Sequence, residues 1–220
     1  MRRLIAPTLV LALSSAALLA VAAPAEAATP TTALGVLNSL SVRAESYSST
    51  YSRAAFHHWI DADHDSCDTR EEVLIAESLT TVRRGSGCSI LSGKWYSYYD
   101  GLTWTNKSDV DIDHVVALKE AWESGARSWS ATNRERYAND LGYKYTLEAV
   151  TDNVNSSKSD RDPATWLPPR TAARCPYAQR WVAIKYRWRL SVDSAEKSRL
   201  KQLLAGSCGA KQISVPARAI

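Results

Sequence analysis

Two stretches of the chain alternate apolar and polar residues with a period of two. They are "SDVDIDHVV" over residues 108–116 and "YKYTLEAVT" over residues 143–151, and both predict strands. Elsewhere apolar positions recur every three or four residues. Thr69 and Glu72 form a capping box that opens a helix over residues 70–79, and Thr132 and Glu135 open another that stops near Asp140 and Gly142. Residues 116–124 read as a helix ending at Gly125. Over residues 177–190, Tyr177, Trp181, Ile184 and Trp188 make one apolar stripe. A last helix spans 194–204, and 33–42 predicts a short one. Residues 46–51 read as loop, Gly85, Gly87 and Gly93 mark turns, and "KWYSYYDGLTWT" is a hairpin around Asp100-Gly101. Strand, helical excursion, strand, polar loop and helices give an α+β class without internal repeats.

The N-terminus changes that picture by removing itself. Arg2 and Arg3 precede an apolar run over residues 4–23, and Ala25-Glu26-Ala27 offers a peptidase site, so residues 1–28 read as a signal peptide. Pro7, Ser14, Ser15 and Pro24 interrupt or bound the run, which argues against a membrane anchor. The mature chain is expected to be secreted and monomeric, with no membrane contact after cleavage. Residues 29–50 read as a linker, 51–208 as a single domain and 209–220 as a tail. Four cysteines in an exported chain imply two disulfides, with local closure as Cys67–Cys88 and Cys175–Cys208 the expected pairing.

Cleavage removes Arg2, Arg3 and Glu26, so 27 basic and 23 acidic residues become 25 and 22, a net +3. The distribution says more than the total. Residues 57–79 hold seven acids and one arginine, whereas 170–201 hold nine bases and two acids with Tyr177, Trp181, Tyr186 and Trp188 among them. Such a field suits a polyanion better than a bilayer.

The first strand ends in Asp113-His114, after Asp109 and Asp111 on alternate positions. Neighbours on a strand point to opposite faces, so only a strand end lets the two divide one task. A carboxylate is a hard ligand for Mg²⁺ or Mn²⁺, and a neutral imidazole can take a proton from water. Together they suit phosphodiester hydrolysis. After the second strand, Asn155 offers a second, neutral oxygen ligand, and Lys158 stands one turn on as a point charge for phosphate.

With these residues in place, "DVDIDHVVAL", Asn139 and "NSSKSD" resemble the HNH, or ββα-metal, nuclease signature. The likeness is to the secreted HNH family related to the C-terminal domain of GmrSD restriction enzymes, which "CDTREEVL" and "ATWLPP" also resemble. It covers residues 51–190. The resemblance implies a ββα-metal core over residues 109–169 with additional helices, stabilised by disulfides. It makes Asp113 and Asn155 metal ligands, with Asp111 supporting the metal through water and Mg²⁺ expected ahead of Mn²⁺. It makes His114 the general base, Asn139 the brace of the loop that holds it, and Lys158 a phosphate contact. Asn stands where the triad usually ends in His, and 15 residues separate Asn139 from Asn155.

Other readings compete locally. Asp61, Asp63, Asp65 and Glu72 mimic a calcium loop, though Ser66 stands where such a loop needs glycine. His57, His58, His64 and Cys67 follow no regular zinc spacing. Asn139 equally suits a helix C-terminus. Most of the eight tryptophans read as core rather than base-stacking platforms. The expected function is a secreted metal-dependent endonuclease of low sequence specificity, acting on DNA ahead of RNA. A non-enzymatic polyanion-binding module on the same scaffold is the alternative, and an antibacterial toxin would share the chemistry.

Overall fold

A computed structural model describes residues 31–46 and 48–220. The expected signal peptide lies outside the described residues. The helices are α1 (Ala33–Ser39), α2 (Thr69–Glu77), α3 (Leu118–Glu123), α4 (Ala131–Ala138), α5 (Asp152–Lys158), α6 (Thr171–Arg187), α7 (Ser194–Leu203) and α8 (Ser207–Ala210). The strands are β1 (Thr31–Thr32), β2 (Arg83–Arg84), β3 (Ile90–Ser92), β4 (Trp95–Tyr96), β5 (Thr103–Trp104), β6 (Val110–His114), β7 (Leu147–Thr151) and β8 (Gln212–Ile213).

The two alternating stretches become β6 and β7, an antiparallel pair in which Asp111 faces Val150, Asp113 faces Glu148 and His114 faces Leu147. Both faces are covered. Val110, Ile112, Leu147 and Ala149 pack with Val73 and Leu74 of α2, Ile90 and Trp95. On the other face Val150 joins the larger core with Tyr99 and the buried stripe Tyr177, Trp181, Ile184 and Trp188. Polar side chains on that second face must therefore be paired, since an unpaired buried charge is costly. Glu148 meets Arg180 at 2.7 Å, and Asp113 meets Lys158 at 2.8 Å. α5 follows β7 without an intervening loop.

Both ends of the described residues belong to the body. β1 pairs with β8, α1 buries Val36 and Leu37, and Val215 is buried near the C-terminus. Residues 33–39 thus pack into the core although 29–50 read as a linker. Both disulfides pair as expected. Cys67–Cys88 ties the entry of α2 to the turn before β3, and Cys175–Cys208 ties α6 to α8. No helix among the described residues is long and apolar enough to cross a membrane.

The caps of α2 and α4 sit elsewhere than the sequence suggested, and only α2 keeps a capping box. Asp68, not Thr69, caps α2: its carboxylate accepts from the amides of Arg70 and Glu71, while Glu71 reaches back to the Asp68 amide. Ser130, not Thr132, caps α4. α6 starts at Thr171 and carries Pro176 inside its second turn.

Candidate active site

β6 carries Asp113 and His114 to its C-terminal end, and pleating sends them to opposite faces. Asp113 is buried. Its Oδ2 accepts the Tyr99 hydroxyl at 2.6 Å and its Oδ1 accepts the Lys158 ammonium at 2.8 Å. Burial pushes the Asp113 carboxyl up, against the pull of Lys158 and Tyr99. Each carboxylate oxygen keeps a lone-pair direction beyond its one hydrogen bond.

His114 is also buried, and Nε2 lies 2.9 Å from the carbonyl oxygen of Ala138. A carbonyl only accepts, so Nε2 carries the proton and Nδ1 the lone pair. Trp59 stacks on the ring with centroids 5.4 Å apart and planes 30° apart. Burial above all, then Arg53, His58 and Lys158, push the His114 pKa down to about 3. The imidazole is therefore neutral at pH 7.

Asn155 lies in the last turn of α5. Its Nδ2 donates to Asp111 Oδ2 at 3.2 Å, which leaves the amide oxygen for another partner. Asp113, His114 and Asn155 line one cavity of about 350 Å³, together with Arg53, Ser159 and Asp160. Asp111 adjoins it through Asn155. Asp113 and Asn155 offer oxygen donors to this cavity, with Asp111 behind Asn155, and His114 adds the lone pair of Nδ1. Two carboxylates and an amide suit a hard divalent cation, so the residues present fit the implied metal.

Besides Asp111, two expected residues sit outside the cavity lining, Asn139 and Lys158. Asn139 caps α4 and is also a brace. Its Oδ1 accepts from the Ile60 amide and the Thr69 hydroxyl, and its Nδ2 donates to the carbonyls of His57 and Glu135. It thereby clamps the segment that carries Trp59 onto His114, while the preceding residue, Ala138, supplies the His114 acceptor. Lys158, expected at a substrate phosphate, is 0% exposed. Its ammonium bonds Asp113 and the carbonyl of His114, so it holds the strand end together from beneath.

Sequence reasoning missed Tyr99, Trp59 and Arg53 here. Each comes from a distant segment, and no spacing or motif announces such contacts.

The rival sites resolve differently. Oxygens of Asp61, Asp63 and Asp65 lie within 4.8 Å of one another, whereas Glu72 groups with Asp65 and Cys67. Cys67 is bridged and so unavailable to zinc, and His57 meets Glu135 at 2.6 Å. The basic helix is largely spent on acids. Arg180 pairs with Glu148, Lys185 with Glu120 and Glu196, and Arg187 with Asp140. Trp95, Trp181 and Trp188 are core, as expected.

Comparison with known proteins identifies the family of the chain. The family model for GmrSD restriction endonucleases, C-terminal domain, matches residues 67–203. An uncharacterized secreted protein of Arthroderma benhamiae (strain ATCC MYA-4681 / CBS 112371) is 46% identical over 189 residues, covering 83% of this chain and 91% of that protein. No solved structure matches. The secreted character of that relative fits a fold closed by two disulfides. The chain is a secreted member of the GmrSD restriction endonuclease C-terminal domain family.

Proposed function

We propose that the chain is a metal-dependent endonuclease of the HNH, ββα-metal type, which hydrolyses phosphodiester bonds with DNA as the expected substrate. The observation that carries this reading is the single cavity holding a neutral, hydrogen-bond-oriented imidazole beside the carboxylate of Asp113 and the amide of Asn155. The antiparallel β6–β7 pair running straight into α5 supplies the strand, strand and helix that such a core requires.

In this reading Asp113 and Asn155 hold one divalent cation, Mg²⁺ expected, with Asp111 steadying Asn155. The bound ion would supply charge neutralisation at the scissile phosphate. His114 takes the proton of the attacking water at Nδ1, while the Ala138 carbonyl keeps Nε2 protonated and the ring in place. Trp59 limits the ring's rotation from one side. Asn139 acts as a positioning residue through the segment that carries Trp59, and Lys158 as one through Asp113. Nothing in the cavity presents a base-reading helix or strand, so low sequence specificity follows. The chain is proposed to act as a monomer.

The test is cleavage of plasmid DNA by the mature protein with EDTA, Mg²⁺, Mn²⁺ or Ca²⁺, beside His114→Ala. A general base contributes about 10²–10⁴-fold. The substitution is expected to remove turnover by that order while DNA binding stays. Binding without cleavage in any metal, for DNA and RNA alike, and indifference to His114→Ala would instead make the chain a polyanion-binding module.

A further inference from the structure

The cavity contains a cation that the motif did not supply. Arg53 opens the 3₁₀ turn Arg53–Phe56 and lines the same cavity as Asp113, His114 and Asn155. It lies outside residues 67–203, the span matched to the family. Among the residues lining the cavity it is the one cation, in a lining that also holds Asp113 and Asp160.

A phosphodiester brought against two carboxylates needs positive charge from the protein as well as from an ion. Lys158 does not provide it, because its ammonium is buried against Asp113 and the His114 carbonyl. Arg53 is exposed yet held. Its Nε donates to His58 Nε2 at 3.3 Å. As an acceptor of that bond, His58 Nε2 is unprotonated, and the ring behaves as a neutral support. A guanidinium has five N–H groups, so the bond from Nε to His58 leaves the two terminal nitrogens for a planar, two-point contact with phosphate.

We propose that Arg53 is a catalytic residue of this site, donating to the non-bridging oxygens of the scissile phosphate, with His58 as the positioning residue that aims it. The inference rests on the nuclease reading above and adds a substrate contact from outside the family-matched span.

Arg53→Ala and Arg53→Lys are compared with wild type for plasmid cleavage in Mg²⁺. A second measurement follows binding of a labelled DNA oligonucleotide across a salt series, in His114→Ala and in His114→Ala with Arg53→Ala. Circular dichroism and the thermal midpoint check that each variant is folded. Arg53→Ala is expected to lower kcat/KM by about 10²–10³-fold, the loss seen when one transition-state donor is removed. Lysine is expected to restore only part of it, and the salt slope of binding should fall by about 1.

A wild type that cleaves, beside an Arg53→Ala that cleaves equally well with the same salt slope, overturns the role of Arg53 alone. A wild type that cleaves neither DNA nor RNA overturns the nuclease reading and this role with it. A cleaving wild type separates the two failures.

Discussion

Lys158 has no access to solvent, and that decides its role. A buried ammonium at 2.8 Å from a buried carboxylate is half of a pair whose members cannot be removed singly without leaving the other uncompensated. Lys158→Met is therefore expected to destabilise the fold by about 3–5 kcal/mol, read from urea unfolding. A lysine serving only as a phosphate contact would leave the unfolding midpoint near wild type and weaken DNA binding instead. The sequence placed Lys158 three residues after Asn155 but read that stretch as a polar loop, whereas it is the helix α5. It could not say which way the side chain runs, because that depends on Asp113 and the His114 carbonyl being packed beneath α5. The Asp113-His114 pair was more legible. A period-two pattern ending in two chemically active residues states its own geometry: opposite faces, one strand end. Tyr99 was not legible at all, since its hydroxyl reaches Asp113 across a hairpin whose packing no local pattern encodes.

Elements were read well where packing and period agreed. β6 and β7, the α6 stripe and α7 lie where the apolar pattern put them. One helix, α5, was missed in a stretch that read as polar loop, and other errors fall at helix starts, where caps compete. Asp68 and Thr69 both can cap α2. Asp68 does so because Thr69 spends its hydroxyl on Ile60 and Asn139. That second bond leads to the tie between elements: Asn139, at the end of α4, joins the 57–60 segment and the start of α2 through three hydrogen bonds, and a fourth returns to Glu135 of α4 itself. Its two readings from sequence, helix-end residue and loop brace, describe one side chain doing both. They differ in what removal costs. An ordinary C-terminal Asn replaced by Ala is worth less than about 1 kcal/mol. Stripping partly buried donors and acceptors from three elements costs about 2–4 kcal/mol. Asn139→Ala is expected at the larger figure in urea unfolding. It should also show faster proteolysis around Trp59 and a lower kcat under conditions where the variant is still folded.

The whole molecule is closed by covalent staples and by ion pairs that the hydrophobic core surrounds. Two disulfides across 21 and 33 residues of sequence each stabilise by about 2–4 kcal/mol, and both were legible because four cysteines in an exported chain leave few pairings. Which acids would be buried was not legible. α2 is docked on the strand pair partly through Glu77, whose Oε2 accepts the Ala149 amide at 2.8 Å. Burial pushes the Glu77 pKa from 4.5 up to about 7, against the opposing pull of that amide, Arg180 and Lys144. The sign of the consequence follows from proton counting. Between those two values the folded protein keeps a proton that the unfolded chain releases, so this group's contribution to stability falls as pH rises from 4.5 to 7 and is level above. Glu77→Gln keeps an oxygen for the Ala149 amide and removes the titration. At pH 8 the variant is expected to be more stable than wild type by about 1–3 kcal/mol, and at pH 4 the two should coincide. Urea midpoints measured across that range check both ends. A variant less stable than wild type at pH 8 would mean that Arg180 and Lys144 hold Glu77 charged, so that the α2–sheet contact is an ion pair rather than a neutral hydrogen bond.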